Sequence, residues 1–155
     1  AMKELRDIDN VRLILVGDNF DCEPFISNIK ATGMNDKIIQ TGFRSDVPQI
    51  AKACDVLVLP SEREGLPRVV LESLAVGTPV ITSANDGAME IIENEVNGYI
   101  APIGDSKAIA KNIRLLIENS YVLKQLSDNA QKTIATNMSH EKTVLEMESY
   151  FQSML

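Results

Sequence analysis

Five short apolar runs, each closed by glycine, proline or small polar residues, alternate with stretches of helical periodicity. The runs are residues 11–16 (VRLILV), 37–41 (KIIQT), 55–59 (DVLVL), 79–82 (PVIT) and 98–101 (GYIA). The intervening helical stretches are roughly residues 21–32, 46–53, 67–76 and 87–94. Runs rich in branched residues are typical of strands buried on both faces. The pattern therefore predicts an α/β fold, a parallel sheet with helices on both faces.

The rest of the chain is predicted to be helical and to belong to the same domain. From Asp105 onward, apolar residues recur at helical intervals, which predicts three C-terminal helices. We expect Asp105, Ser120 and Ser139 to cap them. No repeat, low-complexity tract or linker interrupts residues 1–155, so we expect a single domain.

Charge and composition argue against several classes of partner. The net charge is −7 and the 15 Lys and Arg residues are scattered, so no nucleic acid partner is expected. No apolar run approaches the ~20 residues of a membrane span, and residues 1–10 carry too many charges for a signal peptide. Cys22 and Cys54 match no metal-site spacing and are predicted to be reduced thiols. We therefore expect a soluble, cytoplasmic protein.

The candidate binding residues follow the strands. In open α/β sheets, ligands bind beyond the carboxyl ends of the strands. The segments at this edge are residues 17–18, 42–44, 61–66 and 83–88. The charged segment 62–72 (EREGLPRVVLE) begins here and continues into a predicted helix, so it is either a solvated turn or part of a binding edge.

The start of that helix offers groups that can bind a phosphate or a sugar. We expect Pro67 at the first helical position and Leu66 as the cap. The free N–H groups there favour an anion, and Glu72 follows about 7–8 Å along the axis. A carboxylate only accepts hydrogen bonds, so Glu72 suits a ribose diol while Glu64 suits the hydroxyls of a sugar.

A purely structural interpretation of the same helix stays open. Residues 70, 71, 74 and 75 would form its buried face. Arg68 and Glu72 would then be an i,i+4 ion pair on another face, worth about 0.2–0.5 kcal/mol. Spacing alone favours this interpretation, because two glutamates eight residues apart are common.

Residues 55–82 (DVLVLPSEREGLPRVVLESLAVGTPVIT) closely resemble the nucleotide-sugar segment of the glycosyltransferase group 1 family. The resemblance includes the Glu-x7-Glu signature at Glu64 and Glu72, the preceding Pro-Ser, and Gly-x-Pro-Val at residues 77–80. Weaker similarity continues through LILVGD (13–18), GFRSDVP (42–48), GAMEII (87–92) and NGYIAP (97–102). It implies the C-terminal, Rossmann-like lobe of a GT-B fold, from retaining enzymes that require no metal.

The resemblance also implies roles for individual residues. Glu64 would contact hydroxyls of the donor sugar and is the candidate catalytic residue. Gly65 and Leu66 would offer backbone groups to the sugar and diphosphate, and Glu72 would hold the nucleotide ribose.

Three further binding residues are implied by the loops after the first two strands. Phe43 and Arg44 match the place where the family positions the base. Gly17 matches a glycine that allows close approach of the backbone to the ligand. No metal or other cofactor is implied, and His140, where the family often has tryptophan, is interpreted as structural.

The implied reaction is transfer of a glycosyl group from a nucleoside diphosphate sugar to an acceptor hydroxyl, with retention. By analogy with the family, the setting is polysaccharide or other envelope glycan synthesis. The family's lobe opens with a strand and helix that carry an Arg and a Lys for the diphosphate. We expect this chain to begin inside that helix, so that those cations and the acceptor-binding N-terminal lobe are absent.

Three consequences are expected from the missing part. The 155-residue chain should be inactive alone, and peripheral membrane contact would come only through the missing lobe. Without the family's first strand, the strand at 11–16 and its far neighbour should have unpaired edges. Either a rearranged sheet or a second copy of the chain would compensate.

Two other functions remain as alternatives. A nucleotide-sugar 2-epimerase would share the two-lobe architecture, but it ordinarily needs more acidic and histidine groups for proton transfer. A non-catalytic nucleotide-binding or interaction module is the other. No Gly-x-Gly-x-x-Gly follows the first strand, and Asp18 and Asp21 only approximate the aspartate cluster of a receiver domain.

Overall fold

The computed structural model describes residues 1–18, 20, 22–137 and 140–153. Its strands are β1 (Leu13–Leu15), β2 (Ile38–Gln40), β3 (Leu57–Leu59), β4 (Val80–Ser83) and β5 (Gly98–Ala101). Its helices are α1 (Phe25–Thr32), α2 (Val47–Lys52), α3 (Arg68–Ala75), α4 (Asp86–Met89), α5 (Ser106–Glu118), α6 (Ser120–Asn137) and α7 (His140–Ser153). Short 3₁₀ turns occupy Met2–Leu5 and Asn35–Lys37. The predicted alternation of strand and helix is confirmed.

All strand pairs among these elements are parallel, but they form two sheets. The strand order is β1-β2 in one sheet and β3-β4-β5 in the other. Strand β4 is buried along its whole length, because it has a strand on each side and helices over both faces. Strands β1 and β3 consist of apolar residues yet are only half-buried. In the described part of the chain, each pairs along one edge only.

Alternate residues of β4 point into two hydrophobic clusters, one on each face of the sheet. Val80 packs with Val70 and Leu74 of α3 and with Ala130 of α6. Ile81 belongs to the opposite cluster, whose other buried members are Tyr99, Ala101, Ile109, Leu116 and Leu126. The predicted covering of the sheet by helices on both faces is therefore confirmed.

The N-terminal residues pack against α5. Leu5 is completely buried, and Arg114 of α5 donates two hydrogen bonds to the carboxylate of Asp7. Arg114 also donates to the carbonyl oxygen of Glu4 at 3.0 Å. These contacts fix the chain before it enters β1.

Several helix boundaries differ from the prediction. Pro67 is the N-cap of α3, so the helix begins at Arg68 and Leu66 is not its cap. The extended φ and ψ of Pro67, −73° and 99°, place it just outside the helix. Helix α4 is one turn long, shorter than the predicted 87–94.

The predicted caps have mixed outcomes. Asp105 caps α5 as expected, since its carboxylate accepts hydrogen bonds from the N–H groups of Lys107 and Ala108. The prediction for Ser120 is wrong, because Ser120 is itself the first residue of α6. Ser139 lies outside the described residues.

The buried face of α3 differs from the prediction by one residue. Ala75 is exposed, whereas Ser73 is buried and its hydroxyl donates to the carbonyl oxygen of Thr78 at 2.9 Å. The hydroxyl of Thr78 in turn donates to the carbonyl oxygen of Ala51 at the end of α2. These hydrogen bonds let small polar side chains occupy the interface between α2 and α3.

No helix among the described residues is both long and apolar enough to pass through a membrane. Cys22 and Cys54 are not joined in a disulfide. Burial raises the pKa of the Cys54 thiol, with a smaller contribution from the neighbouring Asp55 carboxylate.

Candidate functional site

The loop between β3 and α3 carries most of the predicted binding residues. Strand β3 ends at Leu59, and the loop that follows is largely exposed at residues 62–63 and 65–66. Glu64 differs from these neighbours because it is half-buried. Glu64 is therefore partly shielded from solvent, at the edge where ligands of parallel α/β sheets bind.

Glu72 lies on α3, in an ion pair with Arg68. The guanidinium nitrogen of Arg68 is 3.5 Å from a carboxylate oxygen of Glu72, and their side chains are 87% and 34% exposed. The i,i+4 pair of the structural interpretation is thus present, but a long and exposed pair contributes little to stability. A carboxylate has capacity for further hydrogen bonds, so this contact leaves Glu72 able to accept them from a ligand.

The first turn of α3 adds backbone donors in the segment between Glu64 and Glu72. Val70 and Leu71 donate their N–H groups to the carbonyl oxygen of Pro67. Helix geometry gives the N–H groups of Arg68 and Val69, which precede them, no acceptor within α3. These two amides lie between Glu64 and Glu72 in the chain.

Asn85, the N-cap of α4, and Gly87, in its only turn, hold the loop in place. Both lie in the segment 83–88 that was predicted at this edge, but the sequence indicated no role for either of them. Asn85 caps α4 through its side-chain oxygen, which accepts from the N–H of Ala88 at 2.9 Å. The amide nitrogen of the same side chain donates to the carbonyl oxygen of Ser61 at 3.2 Å. Gly87 lies so close that a Cβ built on it would be 1.9 Å from the carbonyl oxygen of Gly65. The Asn-Asp-Gly sequence at 85–87 is typical of a turn, but it does not indicate which loop that turn contacts.

The loop after β2 contains an exposed aromatic ring beside an ion pair. The side chain of Phe43 is 75% exposed. Arg44 donates two hydrogen bonds to the carboxylate of Asp46, at 2.8 and 2.7 Å. These bonds lower the pKa of Asp46 and raise that of Arg44. An open depression of about 440 Å³ is lined by Phe43, Arg44, Ser45 and Asp46.

Gly17 links the first two loops at this edge. Its N–H donates to the carbonyl oxygen of Gly42 at 2.9 Å, so this amide is already used within the protein. Its φ of 133° lies outside the range that other residues readily adopt, which accounts for the glycine. The structure thus brings Gly17 next to the residue that precedes Phe43.

The described residues include no group of three or more His, Cys, Asp or Glu side chains arranged to hold a metal ion. Asp21 and the side chain of His140 lie outside the description, so the predictions made for them stay predictions.

Comparison with known proteins identifies relatives over nearly the whole chain. The family model "Glycosyl transferases group 1" matches residues 1–133. The chain is 31% identical over 144 residues to an Escherichia coli protein named UDP-Gal:alpha-D-GlcNAc-diphosphoundecaprenol alpha-1,3-galactosyltransferase, covering 92% of this chain and 37% of the relative. It is 30% identical over 148 residues to the capsular polysaccharide biosynthesis glycosyltransferase CapM of Staphylococcus aureus, covering 94% of this chain and 39% of CapM.

Solved structures resemble this chain over nearly its whole length. Anabaena HepE in complex with UDP superposes with a TM-score of 0.83 at 30% identity, covering 99% of this chain and 44% of HepE. HepE in complex with UDP-glucose gives a TM-score of 0.81. The chain spans between 37% and 44% of the length of these relatives.

Proposed function

The chain belongs to the glycosyl transferases group 1 family, and from this premise we propose that it is the lobe that binds a nucleoside diphosphate sugar. The complete enzyme transfers the glycosyl group to an acceptor hydroxyl with retention at the anomeric carbon. In this proposal the acceptor-binding lobe lies outside this chain, which spans 37% and 39% of the length of two relatives. Alone, the chain binds the donor and does not transfer the sugar.

The observation that carries this proposal is the placement of Glu64 and Glu72 around the start of α3. Glu64 is half-buried in the loop after β3, and Glu72 is partly accessible in the second turn of the helix. In the proposed complex Glu64 accepts hydrogen bonds from the sugar and Glu72 from the ribose. The N–H groups between them then face the diphosphate, where a helix N-terminus favours negative charge.

Charge stabilisation is the main chemical contribution proposed for these backbone groups. When the bond between the anomeric carbon and the diphosphate oxygen breaks, negative charge develops on the leaving diphosphate. Amides that are already oriented toward that charge lower the barrier without reorganising. Arg68 and Val69 are the proposed donors in this chain. Neither a metal ion nor another cofactor is part of the proposal.

Phe43 and Arg44 extend the proposed donor site toward the base. Phe43 offers an exposed ring for stacking, and the depression beside it has room for a small planar group. Because Arg44 is bound to Asp46, we propose that it shapes the depression as half of a neutral ion pair. HepE binds UDP and UDP-glucose, which makes these two compounds the first probes for this chain.

The test measures binding of UDP and UDP-glucose to the chain by calorimetry, with thermal stabilisation as a second readout. A ligand at a hundred times its dissociation constant stabilises the native state by about 2.7 kcal/mol. Glu72→Ala is expected to weaken both ligands. Glu64→Ala is expected to weaken UDP-glucose more than UDP, with Glu62→Ala as the control for loss of a charge from the same loop.

Comparing Arg68→Ala with Glu72→Ala distinguishes the proposed role of Glu72 in binding from a purely structural role in its ion pair. If Glu72 serves only its ion pair, removing either partner should have the same small effect on stability and none on binding. If it holds the ribose, Glu72→Ala should weaken binding of both ligands and Arg68→Ala should not. Failure of the native chain to bind either probe would count against the proposal for uridine donors, and the corresponding guanosine and adenosine compounds would extend the test to other bases.

A second proposal concerns assembly, namely that two copies of this chain pair through the edges of β1 and β3 that have no partner strand among the described residues. Both strands are apolar and half-buried, and a free strand edge is a template for pairing with another chain. Light scattering at tens of micromolar should give twice the monomer mass of 17.1 kDa. A monomer that becomes more stable when the missing part of the enzyme is supplied would show instead that this part covers the edges.

A further inference from the structure

We propose that Gly87 and Asn85 are positioning residues that set the location of Glu64 and thereby the preference of the site for a sugar-bearing nucleotide. The inference rests on the proposed donor site and adds to it residues outside the Glu-x7-Glu segment. It starts from the contact between the first turn of α4 and the loop of residues 61–66.

Glycine at position 87 is not required by its own backbone. Its φ lies outside the left-handed region, and alanine is a far better helix former than glycine. The obstacle to a side chain is the loop itself, since a Cβ would be 1.9 Å from the carbonyl oxygen of Gly65 and 2.7 Å from that of Glu64. Both obstructing atoms are backbone, so neither can rotate away. A methyl group at position 87 must move the peptide groups that flank Gly65.

Asn85 holds the other end of the same loop. Its side chain is 3% exposed and makes three hydrogen bonds, one as the cap of α4 and two as a donor. One donated bond reaches Ser61, 24 residues earlier in the chain. The loop that carries Glu64 is therefore held to α4 at Ser61 by a hydrogen bond and near Gly65 by close packing.

This arrangement separates the two ends of the proposed donor site. Glu72 is on α3, which is anchored by the buried side chains of Val70 and Leu74. Glu64 depends on the loop, and the loop depends on α4. The amides proposed to face the diphosphate, those of Arg68 and Val69, are also on α3. A displacement at α4 should therefore disturb binding of the sugar much more than binding of the nucleotide.

The test compares dissociation constants for UDP and UDP-glucose in Gly87→Ala, at a temperature where the variant is folded. Losing a hydrogen bond to a charged group predicts roughly ten- to hundredfold weaker binding of UDP-glucose, with UDP changed by less than about threefold. Gly33→Ala is the matched control: Gly33 caps α1 at a φ of 68°, so alanine is strained there, but its Cβ would touch nothing within 4 Å. It should lower stability and leave the ratio of the two constants unchanged.

Asn85→Ser is the second variant, because serine retains a good cap for α4 while its shorter side chain loses the amide that reaches Ser61. Like Gly87→Ala, it should weaken binding of UDP-glucose more than binding of UDP. Equal weakening of both ligands in the two α4 variants, or no change in either, would overturn the inference.

Hydrogen exchange of residues 61–66 provides a readout that does not depend on the ligand. Exchange there should accelerate in Gly87→Ala and Asn85→Ser but not in Gly33→Ala. If the native chain binds neither probe while exchange changes as expected, the donor proposal fails for these ligands and the positioning of the loop stands. If the chain binds both probes and exchange does not change, the positioning role fails alone.

Discussion

Arg114 donates two hydrogen bonds to the carboxylate of Asp7, at 2.8 and 2.6 Å, across 107 residues of sequence. Arg114 is on α5, and Asp7 follows the N-terminal 3₁₀ turn whose Leu5 is fully buried. The pair therefore fastens the start of the chain to a helix of the second half.

This ion pair predicts an acid-dependent component of stability. The hydrogen bonds from Arg114 lower the pKa of Asp7 in the folded protein. The stabilisation is therefore present above the carboxyl's unfolded pKa of about 4 and is lost as the pH falls through its lower folded value. The free energy of unfolding, measured with urea from pH 7 to pH 2, should fall less steeply with decreasing pH in Asp7→Asn than in the native protein. Asp9→Asn, two residues further along the chain, is the control. The same dependence of the free energy of unfolding on pH in all three proteins would contradict the prediction.

Leu74→Ala tests the core beneath α3. Leu74 is completely buried among Val70, Val80 and Ile91, so its truncation leaves a cavity. We expect a loss of about 2–5 kcal/mol in the free energy of unfolding, measured with urea. Leu66→Ala removes the same atoms from a side chain that is 57% exposed, and should cost less than about 0.5 kcal/mol.

Phe43→Ala tests whether the base of the donor lies on the exposed ring. Stacking of a base on an aromatic side chain is worth about 1–3 kcal/mol, so UDP should bind roughly 5- to 150-fold more weakly. Pyrophosphate has no base, and its binding should not change. Equal weakening of UDP and pyrophosphate would show that Phe43 acts on the shape of the site and not on the base.

Asn97→Ala tests a buried polar link between α6 and the segment before β5. The side chain of Asn97 is 1% exposed, accepts from the N–H of Glu93, and donates to Ile91 and Thr133. Removing it leaves buried groups without partners, which should cost about 1–3 kcal/mol or more. Thr136→Ala, on the exposed side of α6, should change stability little, and comparable losses in both variants would contradict this view.

The local elements could be predicted from the sequence because local chemistry determines them. Branched apolar runs such as residues 55–59 and 79–82 formed strands, and the carboxylate of Asp105 capped α5. The start of α3 was predicted one residue too early. Proline suits both the N-cap and the first helical position, and its backbone here is extended.

The long-range contacts could not be predicted in this way. The hydrogen bond from Asn85 to Ser61 and the contact of Gly87 with Gly65 join segments that only the folded sheet brings together. The ion pair of Arg44 with Asp46 joins residues only two apart, but a spacing of two in a loop does not by itself indicate an ion pair, and it was not predicted. The predicted site roles stay predictions until binding is measured; they concern Gly17, Phe43, Arg44, Glu64, Gly65, Leu66 and Glu72. The cytoplasmic location also stays a prediction.

The division of the strands into two sheets predicts the order in which segments of the protein unfold. Among the described strands, β4 alone is bonded on both sides, and it is fully buried, so it should be the last segment to open. The β1-β2 ribbon has a single three-residue ladder and half-exposed side chains, so it should fray first. Under mild denaturant or mechanical load, the segment of β1 and β2 should therefore unfold while the three-stranded sheet keeps its structure.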